Sequence, residues 1–494
     1  MMTLLFCGNR YKYEMENVAR LFFPLRRFQF AYDCEPPVEG DFLAFSQTAE
    51  GEGARLTVDF REGEYRDSAS TFVKQSGRFD NDCEEAFARL LYRMLEKKTG
   101  VRPRWGILTG IRPVRRMQRA IEDGKSMQEV QREFRENCLV HPDKIALAAR
   151  ICALQQPVLR DISPRDFSLY ISIPYCPSRC SYCSFVSHSI DHPKARKLIP
   201  DYIEHLVKEI NFTAEISREL GLRLRSVYIG GGTPTVLEAE QLKRIFDCVQ
   251  NAFTPDPALE YTVEAGRADT ITREKLAVIK AGGANRVSIN PQSFQDSVLE
   301  AVGRRHTAND VVKCYEMAQE FGFAAINMDL IAGLPTDTPD GFADSLHKAI
   351  ALGPENITVH ALSVKRAAAL FSQMDGSEDY RDVQRMVDIS GAELPAAGYE
   401  PYYLYRQKNT IGNLENVGYA KPGALGLYNI YIMEEVQHIL AVGAGGVSKV
   451  VRPGHIDRVF NYKYPYEYIA GFSDILSRKE TLRGLLEEVQ RNGI

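Results

Sequence analysis

A chain of 494 residues is longer than one ordinary hydrophobic core supports, so two or three domains are expected. Hydrophobic residues make up 44 % and charged residues 26 %, the balance of a water-soluble globular protein rather than a disordered or membrane-embedded one. The formal net charge of −4 offers no bulk attraction to nucleic acid or anionic lipid, so an anionic partner has to meet a local basic pocket.

The opening MMTLLFCGNR has too short an apolar run for a secretory signal, and no stretch approaches a membrane span. Cys7, Cys34, Cys83, Cys138, Cys152, Cys248 and Cys314 lie in apolar or helical contexts without a pairing pattern and read as small buried hydrophobes. Free thiols of this kind point to a reducing compartment, the cytoplasm.

Residues 1–160 carry no nameable chemical motif and read as a separate N-terminal α/β domain of unknown role. A strand-like MTLLFCG precedes an amphipathic helix around Tyr13–Phe23. A second helix is expected over Glu84–Lys98, with Ala86, Leu90, Leu91 and Met94 inward, and a third over Lys144–Leu154. Between them RPRWGILTGIRPVRRM, Arg102–Met117, reads as a basic helix start after a proline turn, with an anion-facing surface as the alternative.

From Leu169 apolar strands alternate regularly with amphipathic helices. Six strands are predicted to start near 168, 226, 261, 285, 325 and 356. The helices between them are Leu198–Leu220, Glu238–Val249, Thr272–Ala281, Asp296–Val302, Asn309–Glu320 and Pro339–Ala351. Such alternation argues for parallel βα units. Six units fall short of a closed eight-stranded barrel, so the fold class expected for residues 161–370 is α/β, an incomplete (β/α)6 barrel with functional residues at the C-terminal strand ends. Residues 371–494 are expected to form an α+β domain covering the open side. It would hold a helix near Val383–Leu394, strands and turns through YEPYYLYRQKN, NLENVGYAKPG, GLYNIYIME and LAVGAGGVSKV, and a helical tail from Tyr464.

The first strand runs into YISIPYCPSRCSYCSF, Tyr170–Phe185, which places Cys176, Cys180 and Cys183 in one loop. Three thiolates are one ligand short of a closed tetrahedral zinc site. They suit a cubane iron–sulfur cluster with one open iron. Zinc with a fourth ligand such as His188, or three unrelated thiols, remains open on spacing alone. The second strand ends in GGGTPT, Gly230–Thr235, whose glycines admit close backbone approach to a ligand. Glu264 closes the third strand, suited to holding an amine.

Together the C-x3-C-x2-C loop with Tyr182 before its last cysteine, GGGTPT, Glu264, PQSF, GRRH and MDLIAGLP resemble the radical S-adenosylmethionine (SAM) superfamily. More narrowly they resemble the oxygen-independent coproporphyrinogen III dehydrogenase family. The flanking LTGIRPVRR, RQKNTIGNLENVGYAKPG and YNIYIMEE are similar to its HemZ branch, so the likeness spans most of the chain. The resemblance implies that Cys176, Cys180 and Cys183 bind a [4Fe–4S] cluster whose fourth iron chelates SAM. It implies that Tyr170, Gly231 and Glu264 hold that SAM. Tyr182, Gly232, Thr233, Gln292, Arg304 and Asp329 match positions that contact a second SAM in the best-described branch, although the loops around Ser363 do not match that branch. Gln292 and Asp329 could instead bond neighbouring backbone, Arg304 could form a surface ion pair, and His306 could be a helix-cap neighbour.

The implied activity is radical decarboxylation of coproporphyrinogen propionates to vinyl groups, with an electron donor such as a flavodoxin or ferredoxin and a monomeric protein. Arg304, Arg305, Lys365, Arg366, Arg406 and Lys408 are the basic candidates for the tetrapyrrole carboxylates. Two rival readings accompany it, a heme chaperone of the HemW type and a radical SAM enzyme on another substrate. The chaperone motif commonly has a histidine where this chain has Ser172 and a fourth cysteine where it has Ser184.

Overall fold

The computed structural model describes residues 1–24, 26–36, 39–110, 112–183, 185, 187–256, 259–363, 380–407 and 413–491. Ser184, Lys365, Arg366 and Lys408 lie outside them. The described chain divides into two compact units, Met1–Cys152 and Ala153–Ile494.

In the first unit β1 (Met2–Cys7), β2 (Phe28–Tyr32), β3 (Asp41–Glu50), β4 (Gly53–Glu62) and β5 (Tyr65–Lys74) form one sheet in the order β2-β1-β3-β4-β5. β1 runs parallel to both neighbours, and β3, β4 and β5 form an antiparallel meander. The predicted second helix extends over Phe79–Thr99, with Phe87 stacked edge-on to Phe45 of β3. Ala86, Leu91 and Met94 are buried and Leu90 half-buried. The basic segment starts a helix at Pro113, and its arginines are ion-paired, Arg115 with Glu122 at 2.8 Å and Arg116 with Glu85 at 2.9 Å. Of the seven cysteines expected in the interior, five are buried. Cys7 is half-buried and Cys34 exposed, because the latter lies in the turn that follows β2.

The second unit holds the six predicted strands: β6 (Asp166–Ile173), β9 (Arg223–Gly231), β10 (Glu260–Glu264), β11 (Arg286–Ser288), β12 (Ala325–Ala332) and β13 (Asn356–Ala361). Two-residue strands β7 (Tyr175–Cys176) and β8 (His188–Ser189) pair with each other on either side of Cys180 and Cys183. The six pair in parallel in the order β13-β12-β11-β10-β9-β6, with helices between them, as an unclosed barrel requires.

The last part of the chain extends this same sheet at both edges. β14 (Glu400–Arg406) and β15 (Glu415–Ala420) add antiparallel beyond β13. β16 (His438–Val442) adds parallel to β6, followed antiparallel by β17 (Val447–Arg452) and β18 (His455–Phe460). The segment GLYNIYIME, expected as strand, is instead the helix Leu427–Glu434. Its aromatic and β-branched composition favours a strand. The Glu260 carboxylate overrides it by accepting from the Leu427 and Tyr428 amides at 2.6 and 2.8 Å, which satisfies the first turn.

Glu209, on the helix Pro193–Glu219, ties the C-terminal elements to the barrel. Its carboxylate is fully buried and lies 2.9 Å from Lys479 Nζ on the helix Phe472–Arg491. It also accepts from Gly443 N, Asn461 Nδ2 and Tyr468 OH at 2.8, 2.7 and 2.5 Å. Removing one member of such a pair strands a buried charge. Lys479→Met is therefore expected to lower the stability of this unit by about 3–5 kcal/mol. The loss is read as a lower urea midpoint, and Glu209→Gln added to it should restore part of the loss.

Candidate active site at the strand ends

β6 and β9 pair in register up to Ser172 with Gly230 and Ile173 with Gly231, so the GGGT segment leaves the sheet directly under the cysteine loop. Gly232 N donates to Ile173 O at 2.8 Å and Thr233 N to Tyr175 O at 2.7 Å. A side chain is impossible at Gly232, where a Cβ would stand 2.4 Å from Tyr175 O and 3.0 Å from Cys176 Sγ. Gly231 adopts φ +108°, a conformation that only glycine takes easily.

The three cysteines are half-buried on this loop. Thr233 Oγ1 donates to Cys176 Sγ at 3.5 Å, and Arg267 Nη1 donates to Cys180 Sγ at 3.6 Å. Burial pushes the Cys183 thiol up to about 11 and also raises Cys176, the cost of charge in a low-dielectric loop that a bound metal removes. Among the described residues no three Cys, His, Asp or Glu side chains close on a single-ion centre. A cubane asks for something else, since each thiolate binds a different iron and the sulfurs stand apart around it. His188 is turned to other work. Its ring meets Tyr464 and Tyr466 edge-on, with centroids at 5.7 and 6.2 Å.

Beside the loop, a cavity of about 410 Å³ occupies the barrel interior, lined by alternate residues of successive strands. Tyr170 of β6, Glu264 of β10 and Asp329 of β12 all face it. The rings of Tyr170, Tyr228 and Tyr428 lie within 22° of parallel, and Tyr228 and Tyr428 are 4.4 Å apart. Tyr228 OH donates to Glu264 Oε1 at 2.6 Å, and the Gly231 amide donates to the same carboxylate. Burial nevertheless pushes Glu264 up to about 7, aided by Asp329. Asp329 goes the other way. Burial opposes its charge, but hydrogen bonds from His360, Asn327 and Thr358 outweigh that and hold it below the usual carboxylate range.

The remaining predicted residues gather around the loop formed by Gln292 and Arg304. Gln292, at φ +68°, bridges to β12 through Gln292 N to Asp329 O at 2.8 Å, while its side-chain Oε1 is buried without a partner. Arg304 is buried, with Nη2 on Gly266 O at 2.7 Å and its Nε unpaired. It forms no surface ion pair among the described residues. Arg305 does, with Asp191. Tyr182 packs against the buried cluster of Val298, Val302, Ile331, Leu334 and Leu362. His306 stands next to Thr307, the N-cap of the helix Ala308–Glu320, as expected, and its ring is buried against Asp269 at 3.4 Å.

Three features escaped the sequence reading. Arg406, a candidate carboxylate partner, is buried with Nη2 on Asn413 O, and among the described residues the arginine and lysine that line the cavity are Arg286 and Lys449. The Tyr228–Tyr428 stack and Arg267 also went unnoticed. Tyr228 was detectable as the residue two before the glycines on the inward face. Arg267 and Tyr428 carry no local signal, since their partners lie far away in sequence. For the cysteine loop, Cys180→Ala is expected to abolish bound iron and the brown cluster absorbance of anaerobically reconstituted protein. An unchanged spectrum, or stoichiometric zinc, would refute a cubane at this loop.

Comparison with known proteins agrees with this fold. The Radical SAM superfamily profile matches residues 170–349. The chain is 37 % identical over 489 residues, 94 % of each chain, to the oxygen-independent coproporphyrinogen-III oxidase-like protein HemZ of Bacillus subtilis. It is 32 % identical over 310 residues to the heme chaperone HemW of Bacillus subtilis, covering 60 % of this chain and 77 % of the chaperone. Coproporphyrinogen III oxidase (HemN) from Escherichia coli, a radical SAM enzyme, shares the fold, with a TM-score of 0.53 and 22 % identity over 65 % of this chain and 72 % of that one. The chain belongs to the radical SAM superfamily, whose cofactors are a [4Fe–4S] cluster and SAM, and within it to the HemZ-type oxygen-independent coproporphyrinogen-III oxidase-like proteins.

Proposed function

We propose that this protein is an oxygen-independent coproporphyrinogen III dehydrogenase, converting propionate side chains to vinyl groups in porphyrin biosynthesis inside a reducing cytoplasm. The observation that carries this reading is the convergence of Tyr170, Glu264 and Asp329, from β6, β10 and β12, on one cavity beside the cysteine loop. A relative named as oxygen-independent coproporphyrinogen-III oxidase-like matches the chain over 94 % of its length.

Cys176, Cys180 and Cys183 hold the cluster in this proposal. When bound, cluster and SAM would together supply radical hydrogen-atom abstraction at the propionate β-carbon, with loss of carbon dioxide and transfer of one electron to an external one-electron acceptor. Glu264 and the Gly230–Gly232 backbone hold the SAM amine. Tyr170, stacked with Tyr228 and Tyr428, offers a flat apolar wall to a ring system. The acidic lining by Glu264 and Asp329 suits cationic SAM, and the orphaned Gln292 Oε1 and Arg304 Nε leave polar atoms for a second SAM molecule. Arg286 and Lys449 are the described cavity cations for substrate carboxylates, although Arg286 stands 3.8 Å from Glu260 and Lys449 3.3 Å from Glu435. A flavodoxin or ferredoxin supplies the electron.

The HemW likeness supports a second reading, a heme chaperone. Ser172 speaks against it, because where the chaperone motif commonly has a histidine this chain has a buried serine that donates to Ala444 O at 2.7 Å.

Reconstituted protein, reduced and given SAM and coproporphyrinogen III without oxygen, should yield protoporphyrinogen and methionine. Cleavage of SAM without a vinyl product defeats the dehydrogenase reading, and tight heme binding without turnover favours the chaperone. The Glu264 titration adds a pH signature. A cationic amine selects the ionised carboxylate, so SAM affinity is expected to rise as pH rises through about 7. Glu264→Gln should weaken SAM binding above that pH and flatten the rise, measured by calorimetry.

A further inference from the structure

The loop after β10 serves two places at once. Glu264 faces the barrel cavity, and three residues on Arg267 turns under the cysteine loop. Arg267 is 3 % exposed. Its Nη1 donates to Cys180 Sγ at 3.6 Å, and both terminal nitrogens donate to Ser178 Oγ at 3.2 Å. The other side of the guanidinium is clamped by Asp269, which accepts from Nε at 2.9 Å and from Nη2 at 2.8 Å. Asp269 in turn faces the buried His306, Nδ1 to Oδ1 at 3.4 Å. The planar fork of arginine is thus fixed on both sides, with Nη1 shared between Ser178 Oγ and a single cysteine sulfur.

A buried cation needs a reason. Asp269 offsets its charge, yet an ion pair buried only for stability gains little over apolar packing. The thiol supplies the reason, because a thiolate bound to iron is the anion that this edge of the fork meets. We propose that Arg267 is a positioning residue for the iron–sulfur cluster, whose buried charge and hydrogen bond to the Cys180 sulfur raise the cluster's reduction potential. The inference rests on Cys180 being a cluster ligand. Reduction adds one electron to the cluster, and a fixed positive charge in a low-dielectric site lowers the energy of the more negative state. A hydrogen bond to a ligand sulfur acts in the same direction. Asp269 offsets part of this effect and sets its size. The same loop carries Glu264, so ligand contact at the cavity and the environment of the cluster are joined through three residues of backbone.

The test compares wild-type protein with Arg267→Gln, Arg267→Lys and Asp269→Asn, each reconstituted without oxygen. Iron and sulfide content report cluster assembly, and a redox titration followed by electron paramagnetic resonance, without SAM, reports the midpoint potential. Arg267→Gln is expected to shift the potential downward, Arg267→Lys to stay near wild type, and Asp269→Asn to shift it upward. An assembled Arg267→Gln protein with the wild-type potential overturns the inference, as does an Arg267→Lys shift equal to that of glutamine. Loss of assembly in both Arg267 variants with an unshifted Asp269→Asn protein also overturns it, by reducing Arg267 to a loop-packing role. Wild-type protein that takes up no cluster defeats the ligand assignment, and the inference with it, and is told apart by its iron content.

Discussion

The strand-end site depends on one close approach, that of the Gly230–Thr233 backbone to the cysteine loop. Two backbone hydrogen bonds, Gly232 N to Ile173 O and Thr233 N to Tyr175 O, dock the end of β9 on the turn between β6 and Cys176. The contact is so tight that even one methyl group at Gly232 would meet a carbonyl and a sulfur. It places Thr233 on Cys176 and directs the Gly231 amide at Glu264. Cysteine loop, glycine turn and acidic strand end thereby share one rigid frame, which a ligand finds already assembled.

The barrel interior behind that frame differs from a filled barrel core. Layers of branched apolar side chains normally pack such an interior. Here tyrosine, asparagine, threonine and carboxylate side chains occupy the inward positions of β9 to β13, and a cavity survives among them. Polar interiors are costly unless satisfied, and most of these groups are paired with one another, as Asn327 is with Asp329 and Thr358 with Asn327. Glu264 and Asp329 sit in the same cavity and titrate in opposite directions because their partners differ. Asp329 has His360 and an amide donor, whereas Glu264 has a phenol, a backbone amide and a carboxylate neighbour.

A six-stranded parallel sheet leaves two open edges, and unpaired edges invite association. The last hundred residues resolve this by pairing rather than by capping. β15 and β14 continue the sheet beyond β13, while β16, β17 and β18 continue it beyond β6. Glu209 then fixes the second group, since one buried carboxylate receives Lys479, Gly443, Asn461 and Tyr468 from four separate positions. A charge buried this completely is tolerable only when every acceptor site is filled, so the network also specifies where those elements sit.

The order of βα units, the cysteine loop, GGGTPT and Glu264 at strand ends were legible from residue order alone. Period-two and period-3.6 patterns are local, and three thiols within a span of eight residues share a loop in any fold. The tertiary structure decided what depends on distant partners. It made GLYNIYIME a helix, because Glu260, well over a hundred residues earlier, caps it. It sent Arg305 and Arg406 away from the cavity and brought Arg286 and Lys449 to it, since charge alone does not say which way a side chain faces. It set Arg267 against Cys180, a pairing of residues 87 apart that no local pattern records. Local periodicity determines which elements form and what chemistry their ends carry. Burial and long-range hydrogen bonding determine which of those groups meet, because only the folded chain fixes distances between residues far apart in sequence.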